Sequence, residues 1–88
     1  MKVLIQEISS PGCHICKEFE EYWNSVKAAW PKVEYKNISV VTPEGQELVS
    51  KYSIFASPGI IINGELFSTG GFNKDKLLAK LKELSDKK

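Results

Sequence analysis

Two cysteines, Cys13 and Cys16, stand two residues apart behind a Pro11-Gly12 turn, in the run SPGCHICKEF. A pair so spaced can supply half of a metal site, close a short structural disulfide, or cycle between dithiol and disulfide. A thiol reacts as its thiolate, so the third chemistry needs a site that stabilises negative charge on one sulfur. A helix N-terminus does this with unpaired backbone N–H groups and the positive end of the helix dipole. The residues that follow the pair predict such a helix. Ile15, Phe19, Tyr22, Trp23, Val26 and Ala29 recur at three- and four-residue spacing, which marks one amphipathic face, and Pro31 ends it. Cys13 then falls at the N-cap, where first-turn amides and the Cys16 thiol can point at its sulfur. His14 and Lys17 add polarisable or positive neighbours. Cys16 lies one turn along, covered, and is placed to attack a mixed disulfide formed on Cys13.

The other two chemistries fit less well. Structural zinc wants four ligands, and a single Cys-x-x-Cys with one adjacent histidine supplies too few. Copper carriers also use this spacing, but on a βαββαβ chain that ends in a strand, whereas this chain ends in a long helix. A disulfide closing a four-residue loop removes only about 2 kcal/mol of unfolded-state entropy, which makes it a poor staple. A metal-binding or metal-delivery module using the two thiolates stays open as the alternative of a different class. A redox-fold interaction module with little turnover is the third.

Composition sets the frame. The 88 residues are expected to form a single domain, 1–88, and 42% hydrophobic with 26% charged residues is the balance of an ordinary globule. A net charge of +1 gives no general electrostatic reason to expect nucleic acid or a membrane surface as partner. The opening run MKVLIQEIS turns polar at Gln6, too soon for a signal-peptide core or a bilayer span. The expectation is a cytoplasmic monomer, in a compartment where most thiols are kept reduced.

The elements that would position the cysteines follow along the chain. Val3 to Ile8 predicts a buried strand, followed by a turn at Ser9 to Gly12. Val33, Tyr35 and Ile38 suggest a second strand. Thr42 with Pro43 is an N-cap and a first-turn proline, opening a helix that carries Leu48, Val49 and Tyr52. GIIINGELFSTG predicts two strands joined at Asn63-Gly64, where both residues tolerate positive φ. Asn73 caps the last helix, with Phe72 and Leu77 spaced as a hydrophobic staple; its core stripe is Leu77, Leu78, Leu81 and Leu84, and SDKK is a solvated, fraying tail. Trp23, Trp30 and Tyr52 are assigned to packing. The order β-α-β-α-β-β-α, with a right-handed parallel first unit and a closing hairpin, is a three-layer α/β/α sandwich on a four-stranded mixed sheet. A reactive group belongs at the carboxyl end of its first strand, where Cys13 stands.

The later stretch KYSIFASPGIIINGELFSTGG resembles the thioredoxin superfamily, and the likeness extends over nearly the whole chain. Tyr52-Ser53-Ile54, then Pro58, is similar to the family's run into its cis-proline and apolar hairpin. The family's extra N-terminal strand and helix are missing, which leaves the small, glutaredoxin-sized form. By that resemblance Cys13 is the nucleophile, Cys16 the resolving cysteine, and Ser57-Pro58 a cis peptide facing them, its Ser57 backbone offered to a substrate chain as an added strand. Gly12 replaces the thioredoxin tryptophan before the first cysteine, and His14-Ile15 replaces Gly-Pro between the two. Gly70-Gly71 resembles the glutaredoxin glycine pair at the glutathione site, although Asn73-Lys74-Asp75 is out of register with the acidic residues there; a bend before the helix cap is the simpler reading. Glu7, six residues before Cys13, matches the buried thioredoxin aspartate. Buried, it would have a raised pKa and accept the Cys16 proton; at a wet strand end it would be an ordinary carboxylate.

The expected catalytic residues are therefore Cys13, Cys16, Pro58 and Glu7, and the substrate-binding residues Ser57, His14, Gly70 and Gly71. His14 is expected to tune the site rather than serve as acid or base. The implied function is thiol–disulfide exchange with disulfide-bearing proteins. It requires no bound cofactor or metal, and a thioredoxin-type reductase or glutathione supplies electrons.

Overall fold

Alternating apolar residues make β1 (Val3–Ser9) the central strand, flanked by β2 (Val33–Ser39) on one side and β3 (Gly59–Ile62) on the other in the computed structural model, which describes residues 3–86. β4 (Glu65–Thr69) completes the order β2-β1-β3-β4. β1 and β2 run parallel, with Val3 opposite Val33 and Glu7 opposite Asn37. β3 is antiparallel to β1, pairing Gly59 with Ile8, and antiparallel to β4. Helices α1 (His14–Val26), α2 (Pro43–Tyr52) and α3 (Lys74–Asp86) complete the expected β-α-β-α-β-β-α order.

The two faces of the sheet bury different sets of residues. Val3, Ile5, Ile60 and Ile62 pack with Phe19 and Trp23 of α1 and Leu77 and Leu81 of α3. Ile8, Ile38 and Ile61 face the other way, with Ile54 closing the cluster and Leu48, Val49 and Tyr52 of α2 laid against it. These are the layers of an α/β/α sandwich. Burying a side chain such as Ile61 contributes about 1.5–3 kcal/mol, so two small cores carry most of the stability.

The punctuation predicted from the sequence recurs in atomic detail. The Gly45 N–H donates to Thr42 Oγ1 at 3.0 Å, with Pro43 at the first helical position. Asn63 and Gly64 have φ of 50° and 81°. The Lys76 N–H donates to Asn73 Oδ1 at 2.9 Å, and Phe72 packs on the cluster that contains Leu77.

Two details of α1 differ. Its buried stripe is Cys16, Phe19 and Trp23, which turns Ile15 outward at 38% exposure. The helix ends at Val26 and tightens into one 3-10 turn over Lys27–Ala29, leaving Ala29 exposed while the Trp30 N–H closes onto the Lys27 carbonyl. In α3 only Leu77 and Leu81 are fully buried; Leu78 and Leu84 are half-buried. Of the expected tail, Ser85 and Asp86 finish α3, and Lys87 and Lys88 lie outside the described residues.

Candidate active site

Cys13 is the N-cap of α1, with extended backbone angles, and its sulfur accepts the Cys16 N–H at 3.1 Å. No acidic residue occupies the first turn of α1, so the helix dipole there is unopposed. Cys13 and Cys16 are joined by a disulfide, their Cα atoms 5.3 Å apart. Cys13 is half-exposed, whereas Cys16 is only 2% exposed. Cys13 is the more accessible of the two. The His14 side chain is 85% exposed and lies 3.6 Å from Glu18, pointing away from the core. A groove beside the pair has walls that include Ser9, Gly12, Cys13, Cys16, Lys17 and Glu20. Among the described residues no group of three or more His, Cys, Asp or Glu is arranged to hold a metal ion.

The Ser57-Pro58 peptide is cis, and Pro58 is fully buried with Ser57 half-exposed. Pro58 directly precedes Gly59, which pairs with Ile8 at the carboxyl end of β1. The same end of β1 leads into the cysteine turn, so sheet register brings the two segments to one end of the molecule. Gly70 belongs with them. Its N–H donates to the Pro58 carbonyl at 3.1 Å, its φ is +75°, and a Cβ there would come within 3.1 Å of Ala56 Cβ. Gly70 therefore pins the cis-proline segment, which needs a residue with left-handed φ and no side chain. The Gly71 carbonyl accepts from Ser68 Oγ at 2.8 Å.

Glu7 is fully buried on the face covered by α1 and α3. The Tyr35 hydroxyl donates a hydrogen bond to Glu7 Oε1, and Asn37 Nδ2 donates to the same oxygen at 3.3 Å. Asn37 Nδ2 also donates to Glu20 Oε2 at 2.8 Å, and Asn37 Oδ1 accepts from Ser9 Oγ at 2.7 Å. Glu7 Oε2 is buried with no hydrogen-bond partner among the described residues. Burial pushes the carboxyl up to about 7; the Tyr35 hydrogen bond pulls it down and the Glu20 charge pushes it further up. Burial first, and then the Glu7 contact, raise the Tyr35 phenol well above its ordinary range. Of the two possibilities for Glu7, the buried one is the observed one.

Tyr35, Asn37 and Glu20 were not among the residues expected at the site. Their signals were present but depended on pairing. Glu20 is four residues beyond Cys16, hence on the same side of α1. Tyr35 and Asn37 alternate onto the face of β2 that flanks Ile5 and Glu7 only once the parallel register is known.

A family model described as a thioredoxin domain matches residues 1–83. The chain belongs to the thioredoxin domain family. Among solved structures, this thioredoxin-domain protein is similar to thioredoxin h of poplar, with 22% identity, 99% of this chain and 79% of that one covered, and a TM-score of 0.76. It is also similar to the thioredoxin of Fasciola hepatica, with 20% identity over 93% of this chain and 80% of that one and a TM-score of 0.72. A third similar structure is a thioredoxin f2 solved in complex with ferredoxin:thioredoxin reductase, at 12% identity over 97% of this chain and 79% of that one and a TM-score of 0.74. No curated protein sequence matches the chain. At these identities the structural likenesses establish the fold. The family and the Cys13-Cys16 pair together make the chain, in general class, a thiol–disulfide oxidoreductase. No helix among the described residues is long and apolar enough to cross a membrane.

Proposed function

We propose that the chain reduces disulfides in protein substrates through a Cys13-linked intermediate. In the reduced protein the Cys13 thiolate attacks one sulfur of the substrate disulfide, forming a mixed disulfide and expelling the other substrate sulfur as a thiolate. Cys16 then gives up its proton, attacks Cys13 Sγ and releases the second substrate thiol, leaving the Cys13–Cys16 disulfide. Two electrons return from a thioredoxin-type reductase, a donor class supported by the complex in which the similar thioredoxin f2 was solved; glutathione is the alternative donor. The observation that carries the proposal is the asymmetry of the pair. Cys13 is half-buried and its sulfur receives a helix-terminal N–H, while Cys16 is buried.

Glu7 is assigned as the acceptor of the Cys16 proton. Asn37 ties it to Glu20, one helical turn beyond Cys16, which holds the carboxyl beneath the first turns of α1. Its Oε2 carries no competing hydrogen bond among the described residues, and a carboxyl titrating near 7 suits proton transfer at neutral pH. The cis-proline segment with Ser57, Gly70 and Gly71, together with the exposed His14 next to Cys13, is the proposed substrate side of the site, and the whole chain is proposed to work as one domain.

Dithiothreitol-driven reduction of insulin is the direct test. Cys13→Ser should abolish activity, and Cys16→Ser should accumulate a mixed disulfide on Cys13 that mass spectrometry detects. Equal residual activity in the two variants, with stoichiometric metal in freshly purified untagged protein, would overturn the redox mechanism in favour of the metal module.

A further inference from the structure

The buried acid of β1 is not held alone. Glu7 Oε1 accepts from Tyr35 and from Asn37, and the same Asn37 amide reaches across to Glu20 on the wall of the cysteine groove. Two carboxyls, one sealed in the core and one at the groove, thus share a single neutral donor, while a phenol engages only the sealed one. A hydrogen bond donated to a carboxylate favours its charged form, and a second negative charge nearby disfavours it. The two neighbours therefore act on Glu7 in opposite senses.

We propose that Tyr35 and Glu20 are opposed positioning residues for Glu7: the Tyr35 hydroxyl favours its charged form, the Glu20 carboxylate favours its protonated form, and Asn37 fixes the spacing between the two acids. The proposal rests on the reading of Glu7 as acceptor of the Cys16 proton and deepens it. By occupying Oε1, Tyr35 and Asn37 leave Oε2 as the atom free to take that proton.

Few other groups compete for control of Glu7. From β3 its register partner is Ile60, and α3 brings the apolar Leu77 and Leu81 to the same layer. On β2, Lys36 alternates to the opposite face of the sheet from Tyr35 and Asn37. From α1, Glu20 lines the cysteine groove together with Cys16 and the exposed Lys17. Glu20 is the charged group that Asn37 couples directly to the buried acid.

The test reads the Glu7 carboxyl itself by NMR titration of carboxyl-labelled protein, with Glu7→Gln identifying its signal, in Tyr35→Phe and Glu20→Gln backgrounds. Tyr35→Phe should raise the Glu7 midpoint and Glu20→Gln should lower it, each by roughly half to one pH unit. Loosening of the core would lower a burial-raised midpoint in both variants, so the rise in Tyr35→Phe distinguishes positioning from mere structure. No movement, or a fall in both, overturns the proposal. Rapid-mixing kinetics of the Cys16 step on the same proteins then separates the two layers of inference. If its pH profile follows the two midpoints in opposite directions, both stand. If the midpoints move and the profile does not, the opposed control of Glu7 stands and its role as proton acceptor fails.

Discussion

Glu7 and Ile8 are neighbours on β1, and both are shut off from solvent, yet they face opposite layers with opposite consequences. Ile8 enters a wholly apolar cluster with Ile38, Ile54 and Ile61 under α2, where every contact stabilises the fold. Glu7 enters the layer under α1 and α3, where an acid next to apolar residues costs free energy that two hydrogen bonds only partly offset. The costly layer is the one that carries Cys16. Both layers hold the protein together, and the one under α1 and α3 also buries a carboxyl.

That division can be broken from either side. The largest change in stability should come from Ile61→Ala in the α2 layer, which should cost about 2–5 kcal/mol in denaturant unfolding. Thiol–disulfide exchange per folded molecule should stay near wild type. A Cys16 step slowed as much as the stability falls would show that the layers are not separate.

Glu7→Gln should act in the reverse direction on stability. The folded-state pKa of about 7 lies above the unfolded value of 4.5, so the folded chain holds a proton that the unfolded chain releases across this window. Stability from this group is therefore highest at low pH and is lost as pH rises to 7 and beyond. Oxidised wild type should lose roughly 2–3 kcal/mol between about pH 5 and about pH 8 from this source, and Glu7→Gln should lack that loss. Urea unfolding of the two proteins at both pH values measures the difference.

The same substitution should slow the Cys16 step by on the order of tenfold while leaving the first attack by Cys13 nearly unchanged, because water can replace the carboxylate as acceptor. Rapid mixing with a preformed mixed disulfide isolates the step. Equal rates in both proteins at neutral pH would reduce Glu7 to a buried structural acid. The smallest effect belongs to Thr42→Ala, which removes the Gly45 N–H acceptor at the start of α2 and should cost about 1 kcal/mol with no change in exchange kinetics.

Much of this molecule follows from local sequence. Asn63-Gly64, Thr42-Pro43, Asn73 and the Cys13 N-cap are each dictated by backbone chemistry within four residues, and each stands where the sequence puts it. Periodicity alone misplaced Ile15, because the spacing of α1 fits two overlapping stripes and only contact with the sheet selects Cys16, Phe19 and Trp23. The pairing of Tyr35 and Asn37 with Glu7 was beyond any local signal, since those residues are 28 and 30 positions apart. Short-range hydrogen bonds and steric limits are functions of neighbouring residue types, so the sequence by itself determined the turns, the caps, the element order and the reactive pair. Whether Glu7 is dry, which donors it meets and what Gly70 holds depend on strand register and on which helix covers which face. Those are properties of chain segments far apart, and tertiary packing alone decided them.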